Sequence, residues 1–267
     1  MIRDITIGQY FPGKSPIHRM DPRVKILLSL AYIILLFVAG NLWSLLLGAF
    51  FVLCCYWISR IPLKMILRSL KPIVPIVLFT AVLNMFFVQG EVLWSWWFFQ
   101  ITREGVNMAV LMASRIICLI AGTTLLTYTT SPIALTDGIE RLLSPLKRLK
   151  MPVHELAMMM TIALRFIPTL IEETDKIMSA QKARGADMES GGLVQRAKAL
   201  VPILIPLFVS SFRRADELAL AMECRCYRGG EGRTRMKQLK MTWLDAMAAL
   251  VMAAVFAVVI AMNFVLL

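Results

Sequence analysis

Charge is sparse in this sequence. Asp, Glu, Lys and Arg make up only 17% of its 267 residues, against 58% hydrophobic residues and a mean hydropathy of +0.71. A water-soluble domain carries about 25% charged residues, so a soluble globular fold is excluded and a bilayer is the solvent implied. Histidine is scarce as well, with two residues, His18 and His154. The five cysteines, Cys54, Cys55, Cys118, Cys224 and Cys226, are an odd and scattered set, which excludes a secreted disulfide framework. Residues 1–25 are polar and broken by Pro and Gly, so no cleavable signal peptide is expected. Gly8-x4-Gly13-Lys14-Ser15 matches the spacing of a P-loop, but it lies in that polar, Pro-broken segment without the apolar strand that a P-loop follows, so it is not read as an ATP site.

What the sequence does have is apolar runs. No charged residue occurs from Ile26 to Ser59. That run is too long for one helix, and Gly40-Asn41 marks a turn inside it. The reading is two helices, about Val24–Ala39 and Leu42–Ile58, each near the short end of the roughly 17–25 residues that cross a bilayer. Further spans are predicted at about Pro72–Gln89, Val106–Tyr128 and Trp243–Leu267. The tryptophan-rich stretch Val92–Phe99 reads as an interfacial loop on the outer side, where an indole keeps its N–H wet.

Basic residues set the orientation. Residues 1–25 hold Arg3, Lys14, Arg19, Arg23 and Lys25; Arg60, Lys64, Arg68 and Lys71 follow the second span; eighteen more lie in residues 129–242. Together these hold 27 of the 29 basic residues. By the positive-inside rule the N-terminus is cytoplasmic and, with five spans, the C-terminus is outside. The net charge of +12 is thereby explained by topology, and a nucleic-acid partner is not expected. The expected organisation is an N-terminal cytoplasmic segment (1–23), four transmembrane helices (24–128), a cytoplasmic segment (129–242) and a last transmembrane helix (243–267).

The long cytoplasmic segment is the unusual part. Ser131-Pro132 reads as a helix start with serine as N-cap and proline at the first position, and Ser144-Pro145 as another. Residues Pro152 to about Ala186 follow helical spacing through Leu156, Met159, Met160, Ala163, Ile167, Leu170 and Ile171. Gly191-Gly192 breaks the chain, and a second helical stretch runs from about Leu193 to Tyr227, closed by Gly229-Gly230-Glu231-Gly232. Ala199–Phe212 is uncharged but holds Pro202 and Pro206; fourteen apolar residues read as a re-entrant or interfacial piece.

The two helical stretches end alike. Ala183-Arg184-Gly185 closes the first and Cys224-Arg225-Cys226 the second, and each arginine lies nine residues after an aspartate, Asp175 or Asp216. A basic residue in a last helical turn is ordinary capping chemistry. Two matched ends between small residues suggest more: a repeated docking device, with each guanidinium free to enter a groove on a partner.

These residues carry a resemblance. Gly8-Gln9-Tyr10-Phe11-Pro12-Gly13-Lys14-Ser15-Pro16-Ile17-His18-Arg19-Met20-Asp21-Pro22-Arg23-Val24-Lys25 resembles the opening signature of the energy-coupling-factor transporter T components. Ala183-Arg184-Gly185 is similar to that family's first Ala-Arg-Gly motif. Cys224-Arg225-Cys226 falls at the second, with cysteines in place of alanine and glycine, and Tyr227-Arg228-Gly229-Gly230-Glu231-Gly232 also follows the pattern. The resemblance covers nearly the whole chain. It implies an all-α integral membrane protein with about five transmembrane helices and long cytoplasmic or interfacial coupling helices between the fourth and fifth. It implies two ABC-type ATPases docked on the two arginine-tipped helices, and a small membrane-embedded substrate-binding subunit against their apolar faces. The cargo would be a vitamin or a metal ion, taken up across a prokaryotic plasma membrane. ATP would be bound by the partners, and this chain would hold no cofactor, catalytic residue or metal.

Particular residues also bear on other protein classes. Glu172-Glu173 is similar to the paired glutamates of intramembrane proteases, but that pattern wants an arginine at position 177, which is Ile, and histidines at membrane depth. A secondary carrier would need more internal charge and an inverted repeat. A conventional ABC permease half would pair with a like subunit, whereas one chain here supplies both docking ends. A Cys-x-Cys pair without nearby ligands is a weak metal signal. Arg115, within a span, is expected to face the protein interior with a partner. Arg213, Arg214, Asp216 and Glu217 are expected to pair around their own helix. Arg233, Arg235, Lys237 and Lys240 read as a topological anchor that favours anionic headgroups.

Overall fold

The computed structural model describes residues 10–96, 99–145, 151–186, 192–229 and 238–265. Gly8-Gln9, Lys147, Gly191, the Gly230-Glu231-Gly232 break and Arg233, Arg235 and Lys237 lie outside them. The architecture is all-α, with one two-stranded ribbon. Its helices in chain order are α1 (Pro16–Arg19), α2 (Pro22–Val38), α3 (Leu42–Ser59), α4 (Leu63–Leu70) and, through a 3-10 turn, α5 (Val74–Phe87). Strands β1 (Val92–Trp96) and β2 (Phe99–Thr102) come next, then α6 (Arg103–Thr129), α7 (Pro132–Leu143), α8 (Val153–Ala183), α9 (Leu193–Cys224) and α10 (Trp243–Val265). The chain divides into two compact units: Gly8–Arg141 with Gln238–Leu267, and Leu142–Lys237.

Among the described residues five helices are long and apolar enough to cross a membrane: α3, α4–α5 taken together, α6, α8 and α10. The number matches the expectation, but the membership differs. At 17 residues α2 lies at the short limit, because Pro22 opens it and Gly40 follows its C-cap. α8 joins the set because Arg165 is its sole charge between Leu156 and Ile171. The third span begins earlier than expected, at Leu63, so Lys64, Arg68 and Lys71 sit inside its first turns. The tryptophan stretch is not a loop but an antiparallel ribbon, with Val92 paired to Thr102 and a bulge between Val92 and Trp94.

Helix starts follow the capping signals. Ser15 precedes Pro16 and accepts from the His18 N–H; Asp21 precedes Pro22 and accepts from the Arg23 N–H. Thr102 accepts from Gly105 N–H at 3.1 Å, and Ser131 from Ala134 N–H at 3.3 Å. Each satisfies a donor that the first helical turn leaves open. The expected turn between the first two long helices is present and is held from outside. Arg115 donates to the Ala39 carbonyl at 2.6 Å, and Asn263 donates to Val38 while accepting from Gly40 N–H and Ser44. The mid-span arginine thus caps the end of α2, a structural use.

The core of the first unit lies where α2, α3, α6 and α10 meet, around Tyr32, Leu35, Leu36, Leu45, Val52 and Val259. Three tyrosines bind backbone carbonyls of neighbouring helices: Tyr32 to Gly48 (3.2 Å), Tyr56 to Ala121 (2.7 Å) and Tyr128 to Met65 (3.1 Å). A phenol buried in an apolar core needs such an acceptor. Gly122 lets the Tyr32 ring lie on α6, where a Cβ would stand 2.4 Å from it.

The N-terminal signature folds onto this core. Phe11 N–H donates to the Tyr128 carbonyl at 3.0 Å. His18 Nε2 stands 3.0 Å from the Phe11 carbonyl and Nδ1 2.7 Å from Ser15 Oγ, so the neutral ring donates from Nε2 and accepts at Nδ1. Its ring fills the space beside Gly13, where a Cβ would come within 2.7 Å. Burial holds the His18 pKa below its usual value; the Phe11 bond opposes this and the Lys25 charge assists. Asp21 resists ionisation through burial, yet hydrogen bonds from the Arg23 side chain and backbone outweigh that and hold its carboxyl below the usual range. The Lys25 ammonium is buried and donates to the carbonyls of His18 and Thr129.

Candidate functional site

The six residues singled out for docking lie at the C-terminal ends of α8 and α9, and all six are exposed. α8 runs 31 residues, through Pro168, and ends at Ala183. Arg184 is its C-cap, and Gly185 follows with φ +83°, in the left-handed region. The Gly185 N–H returns to the Lys182 carbonyl at 3.0 Å and the Ala186 N–H to Gln181 at 3.0 Å. That pair of bonds, 5→2 and 6→1, is a Schellman motif.

α9 runs 32 residues and ends at Cys224, with Arg225 as C-cap. Its continuity matches the single helical stretch expected from about Leu193 to Tyr227, with Ala199–Phe212 inside it. Pro202 and Pro206 each lack one N–H, but the helix continues past both, and tertiary packing can sustain such a break. The Cys226 N–H bonds to Glu223 at 2.8 Å and the Tyr227 N–H to Met222 at 3.1 Å. This is the same motif, residue for residue. Cys226 takes the left-handed position at φ +54° that glycine takes in the first end. A non-glycine residue there costs roughly 1–2 kcal/mol, so the second end keeps its shape against an intrinsic preference.

The ends are related through the helices that carry them. α8 and α9 pack on one another. Arg214 of α9 donates to the Glu173 carboxylate of α8, correcting the expectation that Arg214 pairs around its own helix. Gln181 reaches the Pro202 carbonyl at 3.4 Å. Moving forward along α8 therefore moves backward along α9, and the helices cross antiparallel. Glu173 lies eleven residues before Arg184, and Arg214 eleven before Arg225. The ion pair thus joins equivalent positions and marks a local two-fold relation between the helices. At 1.5 Å per residue the two arginines stand on the order of 30 Å apart, on opposite sides of the crossing. Sequence reading did not find this pair, although the common spacing to the two arginines was its signal.

Both helices expose apolar side chains: Leu156, Met159 and Met160 on α8, and Val201, Ile205 and Phe212 on α9. A face of this kind calls for lipid or a partner. Among the described residues no group of three or more His, Cys, Asp or Glu comes together as a metal site, and the cysteines are unpaired.

Known proteins resemble this chain closely. The model of the family described as "Cobalt transport protein" matches residues 13–236. The energy-coupling factor transporter transmembrane protein EcfT of Ruminiclostridium cellulolyticum is 57% identical over 265 residues, covering 99% of both chains. Its namesake in Clostridium kluyveri is 60% identical over 252 residues, 94% of this chain and 93% of its own, and that of Bacillus subtilis 48% over 246, 92% and 93%. Those names describe a transmembrane component of a transporter, a non-enzymatic role. With a family model across most of its length and relatives near or above half identity from end to end, the chain belongs to the CbiQ family and is an energy-coupling factor transporter transmembrane component.

Proposed function

We propose that this component couples ATP hydrolysis by two cytoplasmic ABC-type ATPases to the movement of a small substrate-binding membrane subunit. The observation that carries the reading is the matched pair of helix ends. Arg184 and Arg225 occupy the same position of the same cap, are exposed, and are related by a local two-fold. A pair of ATPases is the kind of partner that offers two like grooves. Each guanidinium brings five donors to carbonyls and carboxylates, and Ala183, Gly185, Cys224 and Cys226 shape the ends. The exposed apolar faces of α8 and α9 would receive the substrate-binding subunit, and ATP-driven closure of the ATPases would move both helices and tilt it.

In this reading α2 crosses the membrane and α8 does not, so the N-terminus and residues 129–242 are cytoplasmic and the C-terminus is outside; ATP is bound by the partners. Vitamin cargo is supported by Tyr227-Arg228-Gly229-Gly230 after the cysteine-bearing motif, which resembles the shared vitamin-type group more than dedicated cobalt or nickel systems. Small subunits would then exchange on one module.

The test is co-purification from the native host in mild detergent. Two P-loop ATPases and one or more small hydrophobic proteins should accompany the wild type. The ATPases should be lost from Arg184→Glu with Arg225→Glu while the chain stays inserted. Full retention of ATPases and transport by that double variant would sink the assignment.

A further inference from the structure

We infer that the Glu173–Arg214 ion pair is the pivot of the coupling helices, a positioning contact that fixes their crossing and so the spacing of the two arginine tips. The inference rests on the coupling role proposed above. Three observations carry it. The pair joins α8 to α9 directly, through a charge-assisted hydrogen bond. It lies at equivalent positions of the two helices, eleven residues before each tip. Its side chains are partly buried, 26% exposed for Glu173 and 34% for Arg214, so water screens the pair less than it would a pair on an open surface.

The lever geometry gives the pair its consequence. Eleven residues of helix make an arm of roughly 16 Å. A change of about 20° in the crossing, shared between the two arms, would therefore displace each tip by about 3 Å. The Gln181–Pro202 contact, three residues before the Arg184 tip, is neutral and longer at 3.4 Å, and so is a weaker tie between the helices than the ion pair. A contact at the crossing lets the arms turn together while keeping them from sliding along one another. Prolines at 168, 202 and 206 remove backbone hydrogen bonds near the crossing, so the backbone alone is a weak fixative there. Because each charge stands at the partner helix's equivalent position, exchanging them regenerates the same contact with reversed sign.

That exchange is the test. Glu173→Arg, Arg214→Glu and the double exchange Glu173→Arg with Arg214→Glu are made in the full complex, reconstituted in proteoliposomes. Substrate uptake, ATP hydrolysis and ATPase retention are measured for each. A second readout is the distance between spin labels attached by non-thiol chemistry at positions 182 and 223, in the isolated chain in detergent. Each single variant should retain its ATPases, transport about fivefold to tenfold less substrate per ATP hydrolysed, and broaden the label distances. The double exchange should restore both to near the wild-type values. Wild-type coupling and distances in the single variants would overturn the inference, as would a double exchange no better than either single. If the singles shift the label distances but Arg184→Glu with Arg225→Glu keeps its ATPases, the pivot stands and the docking assignment fails.

Discussion

The backbone N–H of Asp21 donates to a carboxylate oxygen of Asp245 at 2.9 Å, joining positions 224 residues apart. The other carboxylate oxygen of Asp245 accepts the Thr242 N–H at 2.7 Å and the Thr242 hydroxyl at 2.9 Å. Thr242 and Asp245 thus form the reciprocal half of a capping box at the start of α10, while the same carboxylate receives the entry to α2. Arg23 completes the cluster, bonded to Asp21 at 2.7 Å and to the Leu239 carbonyl at 3.3 Å. The N-terminal signature is in this respect a clamp: it fastens the first long helix to the last.

Asp245 is 3% exposed, so removing its carboxylate leaves the Asp21 N–H without an acceptor in a buried site. Asp245→Ala is expected to cost about 2–3 kcal/mol, combining a lost helix cap with an unsatisfied buried donor. Asp245→Asn keeps one acceptor oxygen and should lose less. Thermal unfolding in detergent orders the three proteins. An Ala variant melting within about 1 °C of the wild type would mean the clamp is not the contact that holds α2 to α10.

The pH dependence of stability follows from His18. Its folded pKa lies below the ordinary 6.5, chiefly through burial. Below 6.5 the unfolded chain takes up a proton that the folded one resists, so the unfolded state binds more protons and stability rises with pH there. The contribution is complete above 6.5 and is lost as pH falls toward the folded value. Asp21, with its pKa held low, adds a second loss in the carboxylate range, below about 3.8. The melting temperature should therefore fall between pH 7 and pH 5 in the wild type and change less over that range in His18→Gln. Equal slopes in the two proteins would remove His18 from the account.

Much of this organisation was legible in the sequence because its signals are local. Gly40-Asn41 marks the turn after α2, Ser131-Pro132 the start of α7, and the break after each arginine the ends of α8 and α9. The misses share a physical cause, since each is decided by which other segment the residues pair with. Trp94-Ser95-Trp96 shows no helical or strand period of its own, and the ribbon it joins is closed by pairing with Phe99–Thr102. Glu173 and Arg214 look like surface charges until the helices cross. Arg184 and Arg225 stand out by their repeated setting, which local sequence does carry.

The left-handed residue after each arginine separates shape from chemistry at the two tips. Gly185 has no atom within 4 Å of where a Cβ would stand, so a substitution there is strained by backbone conformation alone. Gly185→Val should weaken the first cap by about 1–2 kcal/mol, with a larger penalty than Gly185→Asn, because a β-branched side chain tolerates that region least. The reciprocal change is Cys226→Gly, which removes strain already present and should stabilise the second cap by up to about 1 kcal/mol. If the cap matters only as the support that aims Arg225, Cys226→Gly should retain ATPases at least as well as the wild type in detergent wash-off experiments. If the thiol itself makes a contact, retention should fall although the helix end is firmer. Hydrogen exchange at the Cys226 and Tyr227 amides reports cap stability independently of retention. Slower exchange with unchanged or stronger retention assigns the cysteine a conformational role, and slower exchange with weaker retention assigns it a contact.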